Sequence, residues 1–196
     1  MEAQAAGGKR LGKYSFDALL EMPERVRAEI YDGELVFLAR PTTKHAAVSN
    51  RLCSQLTVYL QGKLCQVYPE VTVQLDPEVT NEGFEPDIIV VCDPEKIKEK
   101  CCEGAPDLII EILSPSTKRR DRNYKLRRYL EAGVKEYWII DPVREYLYVF
   151  DWRSGETDIP DAYFGACQVK VNILDDCYID LERIFHNIPP ATALTT

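Results

Sequence analysis

Residues 84–92 read FEPDIIVVC and residues 107–113 read DLIIEIL, and these two stretches decide the fold. Both are apolar on consecutive positions, which is typical of strands covered on both faces of a sheet. Helical periodicity precedes them over residues 44–61 and follows them over residues 121–132, and more strand-like stretches come after the second helix. The order helix, strands, helix, strands predicts an α/β or α+β fold, with a mixed central sheet flanked by helices.

Length and composition are those of one globular domain. The chain has 196 residues, of which 45% are hydrophobic and 29% are charged. We expect a single domain over residues 14–188, between a flexible tail at residues 1–13 and a second tail at residues 189–196. Unbroken apolar runs such as residues 88–92 are far shorter than the ~20 residues of a membrane-spanning helix, so no membrane segment is expected.

Shorter patterns add detail to this outline. An Asp-Gly pair at residues 32–33 is a hairpin signal, and residues 67–75 are predicted to form one strand because their apolar positions largely alternate. Seven cysteines occur without a C-x-x-C pair, and the N-terminal residues lack the apolar core of a secretory signal. We therefore expect reduced thiols in a cytoplasmic protein. The only two histidines, His45 and His186, lie far apart in the sequence, so a zinc site is not expected.

Two acidic residues interrupt the apolar strands. Asp87 follows Pro86 at the start of the first strand, and Glu111 lies near the end of the second. If the strands pair antiparallel, both carboxylates lie at the same end of the sheet. Buried carboxylates are costly unless they are paired or bound to a metal, and oxygen ligands favour Mg²⁺ or Mn²⁺. The alternative is that Asp87 caps a turn and Glu111 pairs with an arginine.

A basic segment follows Glu111. Residues 118–128 read KRRDRNYKLRR and contain seven basic residues and one acid, in a chain whose net charge is −8. The overall acidity argues against a broadly basic nucleic-acid surface, so a positive field would be confined to this segment. Lys125 borders the apolar stripe of the predicted helix, so its alkyl stem could lie along the sheet with its ammonium toward the carboxylates. The alternative is a solvated helix face.

Two acids, a divalent cation and a lysine are the groups that hydrolyse a phosphodiester. A metal activates water and screens the phosphate, while a lysine stabilises developing negative charge. The basic side chains that could contact flanking phosphates are Lys118, Arg119, Arg120 and Arg122. The sequence therefore predicts Asp87 and Glu111 as metal ligands and Lys125 as their partner.

The stretches GFEPDIIVV (residues 83–91) and EILSPSTKRRDRNYKLRRYLEAGVKEYWIIDP (residues 111–142) resemble the Uma-two family of putative restriction endonucleases. That family belongs to the PD-(D/E)xK nuclease superfamily, and the resemblance extends over about residues 16–150. Pro86-Asp87 matches the PD of the motif, and Glu111 matches its second acid. The resemblance implies a restriction-endonuclease-like core, DNA as the substrate and Mg²⁺ or Mn²⁺ as the cofactor.

The lysine of the motif is displaced in this chain. The usual pattern places it two residues after Glu111, where this sequence has Leu113. The resemblance implies that the role has moved to the following helix, and so to Lys125, with Lys118 as the rival candidate.

The resemblance also implies further members of the site. It suggests that the backbone carbonyl of Ile112 completes the metal shell, and that Glu29 is an upstream acid. His45 matches a histidine found at the head of the long helix in this family, and the alternative for it is a cap or packing residue. Nucleases that cut both strands commonly act as two-fold dimers, so a homodimer is expected.

Besides a metal-dependent hydrolase that acts on another phosphate ester, which nothing in the sequence excludes, two classes of function stay open on the sequence alone. The first is a Mg²⁺-dependent endonuclease that hydrolyses DNA phosphodiester bonds. The second is a catalytically inactive module that binds nucleic acid or protein on the same fold, which the displaced lysine and the net acidity favour.

Overall fold

The computed structural model describes residues 14–23, 25–114, 121–155 and 159–187, and of residues 121 and 122 only the backbone. The two predicted tails, at residues 1–13 and 189–196, lie outside the described residues, as do Lys118, Arg119 and Arg120.

Strands dominate the described part of the chain. They are β1 (Ala28–Tyr31), β2 (Glu34–Phe37), β3 (Gln66–Pro69), β4 (Thr72–Gln74), β5 (Ile88–Val91), β6 (Cys101–Glu103), β7 (Leu108–Ile112), β8 (Glu136–Asp141), β9 (Tyr146–Asp151), β10 (Asp161–Phe164), β11 (Gln168–Lys170) and β12 (Tyr178–Asp180). The helices are α1 (Phe16–Leu20), α2 (Thr43–Leu60), α3 (Leu126–Glu131) and α4 (Leu181–Phe185), with a 3₁₀ turn at Pro94–Lys96 and a π-helical turn at Asp121–Lys125.

A six-stranded sheet forms the centre, in the order β10-β9-β8-β7-β5-β3. The pair β7–β8 is parallel and the other pairs are antiparallel, so the sheet is mixed. The π-helical turn and α3 connect the parallel pair, as such a crossover requires. The predicted mixed sheet flanked by helices is confirmed.

The register of β5 and β7 places the two acids opposite each other. Ile88 pairs with Ile110 and Ile89 pairs with Ile109, so the same register carried one residue further sets Asp87 opposite Glu111. Because side chains alternate along a strand, the Glu111 carboxylate projects on the face that carries Ile109, whereas Asp87 lies just before the first residue of β5.

Each face of the sheet has its own core. On one face α2 contributes Val48, Leu52 and Leu56, all fully buried against the side chains of β5, β7 and β8. On the other face α3 contributes the fully buried Tyr129. Burial of each such side chain is worth about 1.5–3 kcal/mol relative to exposure, so both layers hold the sheet end in place. In the part of the chain that the structure describes, every helix is too short or too polar to span a bilayer.

The single strand predicted over residues 67–75 is wrong. The stretch divides into two strands at Glu70, which has a left-handed φ of 52°. The Glu70 amide donates to the carbonyl of Asp87. β3 stays in the central sheet, whereas β4 leaves it and pairs in parallel with β6. The alternation predicted the extended conformation but not the turn inside it.

The prediction of seven reduced thiols is wrong for one pair. Cys65 and Cys92 form a disulfide, while the other five cysteines are free. Gln66 pairs with Val91 in the antiparallel register, so the cysteines that come next on each strand face each other. This cross-link lies at the opposite end of β5 from Asp87.

Candidate active site

Asp87 is fixed against the backbone of β7. Its Oδ2 accepts a hydrogen bond of 2.7 Å from the amide of Ile112, the residue after Glu111. Asp87 is 8% exposed and Glu111 is 3% exposed, so both carboxylates are nearly removed from water. Asp87 therefore lies against the peptide that links Glu111 to Ile112, at one end of the central sheet.

Lys125 reaches the Glu111 carboxylate from the helical crossover. Its Nζ lies 2.8 Å from Oε1 of Glu111 and 2.7 Å from Oε1 of Glu29, and its side chain is only 2% exposed. Tyr129 lies one turn further along the same helix face, and its hydroxyl donates to Oε1 of Glu111 over 2.7 Å. Lys125 is also the last residue of the π-helical turn, a deviation often found at functional sites.

Glu29 enters the site from the β1–β2 hairpin, outside the central sheet. The hairpin is attached by reciprocal backbone hydrogen bonds between Ile30 and Gly83. Glu29 is fully buried, accepts a 3.0 Å hydrogen bond from the Glu85 amide, and accepts another from the Tyr31 hydroxyl. Buried carboxylates are retained only when satisfied in this way, so the Lys125 ammonium completes its environment.

His45 approaches Asp87 from the first turn of α2. The Thr42 side chain caps that helix by accepting from the His45 amide, and the imidazole Nε2 lies 3.2 Å from Oδ1 of Asp87. Burial lowers the pKa of His45, but the hydrogen bond and charge of Asp87 outweigh it, and the pKa is raised above its ordinary value. Its Nδ1 is buried and has no hydrogen-bond partner among the described residues.

Aromatic rings surround the carboxylate–lysine group. Edge-to-face contacts join successive rings at centroid distances between 5.1 and 5.8 Å, among Tyr31, Phe84, Tyr124, Tyr129 and Tyr137. Burial raises the pKa of Tyr129 well above its ordinary value, so its hydroxyl stays protonated and acts as a donor. Such surroundings strengthen the charge interactions of the site.

The charges and donor atoms fit a hard divalent cation. Glu29, Asp87 and Glu111 supply three carboxylates, of which Lys125 binds two and His45 binds the third. The carboxylates of Asp87 and Glu111 and the carbonyl of Ile112 are oxygen donors, the class that Mg²⁺ and Mn²⁺ prefer. Within the described ranges, no three His, Cys, Asp or Glu side chains are themselves arranged to hold a metal.

The structure brings most of the expected site residues together. They are Glu29, His45, Asp87, Glu111, Ile112 and Lys125. Lys118, the rival lysine, lies outside the described residues together with Arg119, Arg120 and the side chain of Arg122.

Sequence reasoning missed two tyrosines of the site. Tyr129 follows Lys125 by four residues on a helix, and Tyr31 follows Glu29 by two on a strand, so each pair shares a face. These spacings were visible in the sequence, and an assigned site lysine and site acid were enough to find both tyrosines.

Comparison with solved structures identifies the fold. The fold matches the crystal structure of a putative nuclease belonging to DUF820 from Anabaena variabilis ATCC 29413, with a TM-score of 0.69 and 20% identity. The match covers 87% of this chain and 97% of that chain. The chain therefore shares the fold of that protein.

The family follows from the sequence itself. The Uma2 family, described as "Putative restriction endonuclease", has a model that matches residues 15–164. The chain belongs to this family. It is also 31% identical over 132 residues to the uncharacterized protein slr1290 of Synechocystis sp. (strain ATCC 27184 / PCC 6803 / Kazusa). The matched segment covers 65% of this chain and 68% of that relative.

Proposed function

We propose that the protein is a Mg²⁺-dependent endonuclease that hydrolyses DNA phosphodiester bonds, with Mn²⁺ as the alternative cation. The observation that carries the proposal is the position of Lys125, whose ammonium lies 2.8 Å from Glu111 and 2.7 Å from Glu29. A lysine buried between two carboxylates of the site matches what phosphodiester hydrolysis needs. The family name and the nuclease neighbour support the same reaction class.

The chain's own residues divide the work of the reaction. Asp87, Glu111 and the Ile112 carbonyl would hold the cation, which supplies a Lewis acid and a water of lowered pKa when bound. Lys125 would stabilise the negative charge that develops on the phosphate oxygens, while Glu29 holds its ammonium in place. In hydrolysis the water oxygen bonds to phosphorus, the bond to one sugar oxygen breaks, and that oxygen receives a proton.

The test uses the purified protein with supercoiled plasmid and with a labelled single-stranded oligonucleotide, each with Mg²⁺, Mn²⁺ or EDTA. Asp87→Asn and Glu111→Gln keep the size of each side chain and remove its charge. We expect cation-dependent cleavage by the wild type, and a loss of at least about 100-fold in both variants.

Two results contradict the proposal. Cleavage that persists unchanged in both variants rejects the assigned residues. Absence of any product from the folded wild type with either cation favours the catalytically inactive binding module instead.

Three further features stay predictions: DNA rather than RNA as the substrate, a homodimer, and a cytoplasmic location. Sedimentation of the purified protein tests the oligomeric state.

A further inference from the structure

A third buried carboxylate, besides Glu29 and Glu111, holds the helix that carries Lys125. Glu82 is only 7% exposed and accepts a 2.7 Å hydrogen bond from the Tyr124 hydroxyl. The Arg128 guanidinium binds the same carboxylate, through Nε at 3.0 Å to both oxygens and through Nη2 at 2.6 Å. Three donor groups on one helical segment therefore converge on Glu82.

Helical spacing places these contacts beside the site contacts. Tyr124 and Arg128 are four residues apart and share a helix face, and Lys125 and Tyr129 form the adjacent row. The first row binds Glu82 and the second binds Glu111. Because the two rows point in different directions, the two carboxylates together fix the rotation of the helix about its axis.

The backbone on either side of Glu82 is attached to the hairpin that carries Glu29. Gly83 exchanges backbone hydrogen bonds with Ile30, and the Gly33 amide donates to the Asn81 carbonyl over 2.8 Å. Glu29 thus belongs to the hairpin and Glu82 is attached to it. Glu29 binds Lys125 in one row of the helix, and Glu82 binds Arg128 in the adjacent row.

The helix needs such an attachment. α3 has six residues and follows a π-helical turn of five, a length that is marginal without tertiary contacts. The other acid bound by Arg128 is Glu131, whose side chain is 45% exposed, and exposed pairs of this kind contribute little. The buried Glu82 is therefore the main polar anchor of Arg128.

We propose that Glu82 is a positioning residue for Lys125, a role that rests on the proposed function of the site. It acts through Tyr124 and Arg128 and does not itself touch the reacting groups. Misplacing a catalytic group by about 1 Å costs on the order of 100-fold in rate. Glu82→Gln should therefore lower kcat about 10- to 100-fold while KM changes less than about threefold.

Two arginines of the same helix form a matched pair for the test. Arg127 and Arg128 both bind Glu131, but Arg128 alone of the two also binds Glu82. Glu82→Gln and Arg128→Gln should lower kcat together, whereas Arg127→Gln should leave kcat within about twofold of the wild type. Equal kcat in all three variants and the wild type overturns the proposal.

A second measurement tests the positioning without any nuclease activity. The rate of Lys125 acetylation is measured by mass spectrometry, with the half-buried Lys96, which donates to the Ala105 carbonyl, as the internal reference. We expect Lys125 acetylation to rise at least about fivefold relative to Lys96 in Glu82→Gln and Arg128→Gln, and to stay unchanged in Arg127→Gln.

The two measurements separate the two proposals. An inactive wild type in which Glu82→Gln still raises Lys125 acetylation rejects the endonuclease but supports the positioning by Glu82. An active wild type in which Lys125 acetylation is the same in all variants supports the endonuclease and rejects the positioning.

Discussion

At the scale of single residues, the site depends on a buried ammonium held between two buried carboxylates. Lys125 is 2% exposed, and its partners Glu29 and Glu111 are 0% and 3% exposed. Desolvation of such groups is offset only while all of them remain paired, because each charge left alone keeps its full penalty. A change at one of the three should therefore affect stability as well as activity.

Replacing Lys125 with methionine tests this dependence. The variant keeps the apolar stem and leaves two carboxylates without their shared cation, so we expect a loss of about 3–5 kcal/mol in the free energy of unfolding. Urea unfolding in EDTA measures it. The added change Glu29→Gln removes one uncompensated charge, so the double variant should regain part of the loss. A double variant that shows the sum of the two single losses contradicts the explanation.

At the scale of elements, the buried acid Glu136 joins β8 to the turn before β12. Glu136 is fully buried and accepts hydrogen bonds from Trp138 Nε1 at 2.7 Å, from Asn172 Nδ2 at 3.1 Å and from the Ile173 amide at 2.9 Å. Burial raises the pKa of Glu136, and these hydrogen bonds oppose the rise without cancelling it. The folded protein therefore takes up this proton at a higher pH than the unfolded chain.

The raised pKa of Glu136 makes the free energy of unfolding depend on pH. A raised folded-state pKa means that the stabilisation from Glu136 is fully present below its ordinary pKa and is lost as pH rises through the folded pKa. Glu136→Gln does not titrate at this position. The free energy of unfolding of the wild type minus that of the variant should thus be larger at about pH 5 than at about pH 8. Urea unfolding at both pH values measures the difference, and a constant or reversed difference contradicts the interpretation.

Among elements, the two central strands were predictable and β4 was not. Consecutive apolar residues in β5 and β7 report burial on both faces, and this burial depends on local composition. The departure of β4 from the central sheet depends on the left-handed turn at Glu70 and on pairing with β6, about 30 residues later in the chain. No periodicity within residues 67–75 encodes that partner.

At the scale of the whole molecule, the Cys65–Cys92 disulfide fastens an edge strand of the sheet to its neighbour. It closes a loop with a sequence separation of 27 residues, for which removal typically costs about 2–4 kcal/mol. Thiol titration of the unfolded, unreduced protein should find five free thiols, and Cys92→Ser should find six. Seven thiols in the wild type would show that the bond is absent from the purified protein.

The antiparallel pairing that brings Asp87 and Glu111 to one end was only a condition at the level of sequence, and the structure meets it. The sequence by itself determined the mixed sheet flanked by helices and the helical row that carries Lys125. These features follow from alternation and helical periodicity, which act between near neighbours and decide the face on which a side chain lies.

Only the tertiary structure decided that Glu82 supports the site, that Cys65 meets Cys92, and where the hairpin carrying Glu29 attaches. Glu29 entered the prediction through the family resemblance alone. Each of these contacts joins segments that are separate elements or distant in sequence, and such a contact depends on how whole elements dock, which local pattern does not encode.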